Sequence, residues 1–263
     1  MLNLPHGFAG AEGQLWLWLL AMIRPGAAFL AAPVFGSASV PVQIRLIVSL
    51  AIGMAGLQVV PFAVPPDGVA SVAGVAFSLG EVLAGLALGF AVQMGFSAAL
   101  LAGEVVGNVM GLGFAAMVDP VNGASTNALG QLLNILGTFL FLAIGGHLAL
   151  AAIVIDSYRA LPPGSAWLSQ NALHGITLFG GDLFAAGLAI ALPVGFSLTL
   201  VQVVMGVLAR SAPALNLFAV GLPATLLAGL ILLAMAAPGM GEGITASIMR
   251  GLALARQIAS GGG

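Results

Sequence analysis

A chain of 263 residues that is 60% hydrophobic and only 5% charged cannot have water as its main solvent, because a soluble domain carries roughly a quarter charged residues. Its basic residues are all arginine and its formal charge is -2, which excludes the basic footprint of a nucleic-acid binder. The lack of cysteine excludes disulfide frameworks, thiol nucleophiles and thiolate metal sites.

Crossing a bilayer takes about 20 apolar residues in a helix, because an unpaired backbone group in lipid costs several kcal/mol and a helix satisfies its own. Taken in chain order, apolar runs at 14–32, 44–64, 70–101, 129–155, 177–208 and 214–238 predict six hydrophobic helical segments. Intervals of more than twenty residues between successive charges include Arg45 to Asp67, Glu81 to Glu104, Asp119 to Asp156 and Asp182 to Arg210. The first basic residue is Arg24, already inside the first run, so that run lacks the positive leader of a cleavable signal peptide and is expected to stay.

Proline and glycine punctuate the runs at Pro33 to Pro41, Pro61 to Pro66, Gly111 to Gly123, Leu161 to Gly164 and Ser211 to Pro213. Stretches such as Leu140 to Leu150 show no apolar and polar alternation, so the spans are helices rather than barrel strands. The expected fold is an all-α, polytopic helical membrane protein whose single membrane domain covers 1–263. Six arginines spread over both sets of loops leave the orientation undecided. Tyr158, Arg159 and Trp167, like Trp16 and Trp18, read either as interfacial anchors or as ordinary packing residues.

Several predicted helices carry small or polar residues at helical spacing. Glu81, Gly85, Gly89, Gln93 and Ser97 recur every four positions along one ridge. A second seam runs Asn127, Gln131, Asn134, Thr138 and Gly145, and a third Gly195, Thr199, Gln202, Gly206 and Arg210. Such seams serve either close packing inside one bundle or contacts with partner subunits and a wet path. Glu81 and Glu104 favour the second reading, since an intramembrane carboxylate needs a partner or water.

The most unusual segment runs from Gly103 to Pro120, with glycines at 103, 107 and 111. That spacing permits tight helix contact as far as Gly111, after which Gly113 and Asp119-Pro120 favour a turn. A short apolar loop with Met110, Phe114 and Met117 then reads either as a buried or re-entrant loop or as a hydrophobic constriction able to close a channel.

No chemistry-bearing motif stands out. None of the three histidines has a histidine or carboxylate at zincin spacing, and no nucleophile elbow or Walker loop occurs. His147 near the end of an apolar run reads as a hydrogen-bonded packing residue, with a proton relay as the other reading. An intramembrane serine hydrolase would have to join Ser97 or Ser197 to His147. An ion-coupled carrier would use Glu81 or Glu104, but the chain shows no repeated halves. No catalytic, cofactor or metal residue is assigned.

Four stretches in order resemble the FliR family. Ala32-Pro33-Val34-Phe35-Gly36-Ser37 with Val40-Pro41 and Arg45 resembles its first loop, and Gly103 to Gly107 with Met110 to Ala115 and Asp119-Pro120 resembles its central glycine-rich segment. Leu142 to Leu148 with Leu161-Pro162 resembles the helix and loop that follow, and Arg210 through Pro223, including Pro213 and Asn216, resembles its C-terminal signature. The resemblance spans nearly the whole chain. It implies a multi-pass subunit of the bacterial inner membrane and flagellar basal body, part of a type III export gate that passes unfolded flagellar subunits. It implies one such chain assembled with several FliP-like and FliQ-like subunits, beside FlhB-like and FlhA-like proteins, as helical hairpins whose final depth need not follow hydropathy.

On that implication Met110, Gly111, Gly113, Phe114, Met117, Asp119 and Pro120 become plug candidates. The contact candidates are then Glu81, Gly85, Gly89, Gln93, Glu104, Gly107, Asn134, His147, Gln202, Arg210, Pro213 and Asn216. The runner-up is the homologous injectisome subunit, whose relatives often carry lysine after the proline matching Pro223, where this chain has Ala224-Thr225. The chain also departs from the family in having no lysine and a glycine-rich end from Gly241, which puts contacts made by a charged tail in doubt.

Overall fold

In a computed structural model, residues 9–62, 65, 68–113, 127–164, 168–211 and 217–261 are described. Among them the backbone satisfies itself in seven α-helices, with no strand, as an apolar solvent demands. These are α1 (Ala9–Ala31), α2 (Val42–Leu57), α3 (Val72–Val109), α4 (Ala128–Ala143), α5 (Gly146–Ala160), α6 (Gln170–Ser211) and α7 (Leu217–Ala259).

Four helices are long and apolar enough to cross a membrane, or five if α4 and α5 count as one broken span. The expected six segments differ from this in identifiable ways. The run at 44–64 yields a helix of only 16 residues, about 24 Å long and short of a hydrocarbon core about 30 Å thick. The run at 129–155 is broken where Gly145 takes φ 70°, a left-handed conformation that glycine adopts without steric cost. α6 and α7, at 42 and 43 residues, are each about 60 Å long, twice the hydrocarbon thickness. The glycine-rich end is helical. α7 runs on to Ala259, burying Ile244, Ile248, Leu252, Ala255 and Ile258 at the spacing of one helix face.

The described residues divide into two compact units, and α3, α6 and α7 each contribute to both. The first unit falls within 1–94, 145–179 and 250–263. There α1 and α2 form an antiparallel pair, with Gly53 against the Ala21 carbonyl and Gly26 near Ser49. Between them Arg45 donates to the carbonyls of Ser37 and Val40, at 2.5 and 3.0 Å, fastening the loop that joins the pair. The N-terminal half of α3 lies parallel to α1: Gly85 meets the Arg24 carbonyl and Gly89 the Ala28 carbonyl, so closely that any Cβ would collide with backbone.

The second unit falls within 95–144 and 180–249. Its centre is the C-terminal half of α3, flanked by α4 at Gly103 and Gly130 and by α6 where Leu101 fills the space over Gly187. α7 closes on α6 at Gly243 and Ile190, and on the end of α3 at Gly229 and Met110. The outer faces of α6 and α7 remain apolar and exposed in the single chain, as at Val207, Leu227 and Met235.

Candidate functional site

In the first unit, a charged pair has been taken wholly out of solvent. Arg24 of α1 and Glu81 of α3 are both fully buried, joined by Nε to Oε2 and Nη2 to Oε1, each 2.9 Å. This two-pronged geometry suits a guanidinium, whose planar fork matches a carboxylate. Two of the three remaining donors are also used: Nη1 donates to Ser157 Oγ at 2.9 Å and Nη2 to the Leu161 carbonyl at 2.8 Å. The Gly164 amide donates to Glu81 Oε1 at 3.4 Å. The guanidinium carbon sits 4.1 Å from the centre of the Tyr158 ring, so the aromatic face adds electrostatic stabilisation.

Tyr158 is therefore a core residue, not an interfacial anchor, and the reason lies in α1. Pro25 sits inside that helix and has no N–H, so the carbonyl four residues earlier, Ala21, loses its helical donor. The Tyr158 hydroxyl donates to it at 3.1 Å. Gly56 of α2 makes room for the ring, since a Cβ there would lie 2.6 Å from Tyr158 Cε2. One network thus fastens α1, α2, α3, α5 and the turn after α5. Sequence reading singled out Glu81 but not Arg24, 57 residues away.

The glycine-rich end of α3 stands in the second unit. Gly103 abuts Gly130 and Gly107 abuts the Asn127 side chain, each so close that a Cβ would come within about 2.6 Å of its neighbour. Gly111 serves differently. It takes φ 84° while its amide donates to the Asn108 carbonyl at 3.1 Å and the Leu112 amide to the Gly107 carbonyl at 2.9 Å. That pairing ends a helix through a left-handed glycine and satisfies two of its last carbonyls. A third, that of Val109, accepts from Gln202 Nε2 of α6 at 2.6 Å. Met110 is 2% exposed and its Cγ, Sδ and Cε lie over Gly229 of α7.

Glu104 holds the start of α4 to this end. Its Oε1 accepts from the Asn127 amide and its Oε2 from Asn127 Nδ2, both at 2.9 Å, and its carbonyl accepts from the same Nδ2 at 3.2 Å. Asn127 caps α4 in turn, Oδ1 accepting from the Gly130 amide at 2.7 Å. The two ends of the stretch 114–126 are therefore fixed to one another at their roots. The plug candidates Met110, Gly111 and Gly113 fall on the described side, whereas Phe114, Met117, Asp119 and Pro120 lie outside the described residues.

The sequence as a whole matches a family model described as bacterial export proteins, family 1, over residues 15–251. The chain belongs to the FliR family of export proteins. It is 35% identical to the flagellar biosynthetic protein FliR of Escherichia coli over 225 residues, covering 86% of this chain and 85% of that protein. The same-named proteins of Aquifex aeolicus and Bacillus subtilis are 29% and 28% identical, covering 87% and 82% of this chain and 88% and 84% of theirs.

Within this FliR-family chain the other candidates are distributed as follows. Along the first seam Glu81, Gly85 and Gly89 are buried against α1, and Gln93 and Ser97 are half-buried. Asn134 is half-buried on α4, with Thr138 Oγ1 donating to its carbonyl. Arg210 is exposed near the end of α6. His147, at the start of α5, has a buried Nδ1 without a hydrogen-bond partner among the described residues, which departs from the hydrogen-bonded reading. Pro213 and Asn216 lie outside the described residues. Among the described residues no group of three or more acidic, histidine or cysteine side chains could hold a metal ion.

Proposed function

We propose that the chain is a membrane component of the flagellar type III protein export apparatus, in which the glycine-capped end of α3 borders the closed path. Membership of the FliR family carries the first part. The second is supported by the second unit: a helix end built from Met110, Gly111, Leu112 and Gly113, apolar and nearly free of charge, is anchored from three sides. A narrow apolar constriction excludes ions because they cannot be desolvated cheaply there. Glycine at positive φ lets the backbone of the turn change conformation with little steric cost.

The partners this reading requires are FliP-like and FliQ-like subunits, with FlhB-like and FlhA-like proteins adjacent, in the inner membrane at the flagellar basal body. Exposed apolar residues along α6 and α7 supply faces for such subunits, and the unfolded flagellar proteins pass through as cargo. The role is structural and gating rather than catalytic. The flagellar apparatus is preferred to an injectisome because Ala224-Thr225 replaces the lysine common after that proline.

Two variants test it. Gly111→Asp and Phe114→Asp are expected to abolish swimming or make the membrane leaky to small ions, with the chain still present in the membrane. Normal swimming and a tight membrane in both would remove the gate reading. Purification in mild detergent should bring down FliP-like and FliQ-like subunits; a chain isolated alone, stable and soluble in detergent, would count against the assembly.

A further inference from the structure

Of the contacts at the end of α3, two differ in kind from the rest. Glu104 and Asn127 are held by several bonds, two of them to a carboxylate, and hydrogen bonds to charged groups are the stronger class. By contrast, α6 reaches the α3 end through one neutral bond from the exposed Gln202 side chain to the Val109 carbonyl. α7 reaches it through Met110 lying over Gly229. Methionine is unbranched and adaptable, so it leaves a hollow without breaking a polar contact. One contact acts on the last residue of α3 and the other on the first residue of the turn, and both come from helices whose outer faces are exposed in the single chain.

We infer that Gln202 and Gly229 are positioning residues that let α6 and α7 hold the α3 turn in its closed place, so that displacement of these two helices releases it. The inference rests on the gate reading above and adds the route by which opening reaches the turn. Gln202 donates to the Val109 carbonyl, at the last residue of α3, at 2.6 Å. Gly229 supplies the space: a Cβ there would stand 2.6 Å from Met110 Cε, 2.8 Å from Cγ and 2.9 Å from Sδ, so Met110 would be driven out of the hollow by even one methyl group. Weak, separable contacts at the turn and a strong clamp at Glu104 together let the turn swing while its root stays fixed.

The absence of native cysteine makes the test direct. In the double variant Met110→Cys, Gly229→Cys the sulfur of residue 110 replaces Cγ, 2.8 Å from the new Cβ, while in a disulfide each sulfur stands about 3 Å from the opposite Cβ. In cells carrying this variant as their sole copy, oxidation is expected to form the bond and stop export of flagellar subunits. Reductant is expected to restore export to the rate before oxidation, with equal amounts of chain in the membrane throughout. Separately, Gln202→Leu is expected to raise the resting leak of small solutes roughly fivefold, as loss of one neutral hydrogen bond implies, without lowering the amount of assembled chain. A purely structural role would lower both assembly and export instead.

The proposal is overturned if no disulfide forms, if the oxidised variant exports as the reduced one does, or if Gln202→Leu leaks no more than the parent. The leak measurement decides alone where the double variant exports in neither state. Gly111→Asp run alongside separates the two levels: if it acts while Gln202→Leu and the disulfide do not, only the positioning role falls. If Gly111→Asp itself is without effect, the gate reading falls and takes this inference with it.

Discussion

Each unit places a carboxylate from α3 at the meeting of several segments, but it is partnered in opposite ways. Glu81 is dry, bonded to a guanidinium each of whose three nitrogens donates a hydrogen bond. Glu104 is half-buried and bonded to an amide side chain and a backbone amide. A buried ion pair gains little net stability over apolar residues but is costly to break from one side. It therefore fixes one arrangement of helices. Neutral donors around a partly solvated carboxylate cost less to separate than a buried ion pair, so Glu104 is the weaker of the two fastenings, although it remains the firmest of those at the end of α3.

The sharpest way to break this contrast is Arg24→Ala, which strands Glu81 without its charged partner. A loss of about 3–5 kcal/mol is expected for breaking a buried pair, read as a large drop in the amount of chain in the membrane and in its unfolding temperature in detergent. The double variant Arg24→Met, Glu81→Leu should recover most of that loss, because both charges leave together. Glu104→Ala is expected to cost less, about 1–3 kcal/mol, and to act mainly by freeing Asn127, so limited proteolysis between Gly113 and Asn127 should speed up. An equal or larger loss than for Arg24→Ala would invert the comparison. Smallest is Tyr158→Phe, at about 1–2 kcal/mol, which leaves the Ala21 carbonyl without the donor that Pro25 obliges it to find. In a chain that also carries Pro25→Ala, which restores the helical N–H, the same substitution should cost measurably less.

These residues also show what a sequence makes legible. The glycines at 103, 107 and 111 were readable, because close approach and helix termination are governed by neighbours along the chain, and Gly111 does end α3. Glu81 was readable as a carboxylate in need of a partner. Arg24 was not, since nothing in local spacing links residues 57 apart, and Tyr158 stayed open between anchor and packing residue for the same reason: its role follows from a proline in another helix. The apolar run at 129–155 hid a break, because hydropathy does not register one glycine at positive φ. The last predicted run stopped at 238, yet beyond it Ile244, Ile248, Leu252 and Ala255 keep the spacing of a buried helix face, and packing outweighs the low helix propensity of glycine.

The central claim is that the end of α3 lies beside the path taken by exported protein. A photo-crosslinking residue placed at Leu112, in a cell whose export is stalled by a folded domain fused to a flagellar subunit, tests it most directly. The expected result is a covalent adduct between this chain and the stalled subunit from position 112, and none from position 155 on α5. Adducts at neither position, or equally at both, would contradict it.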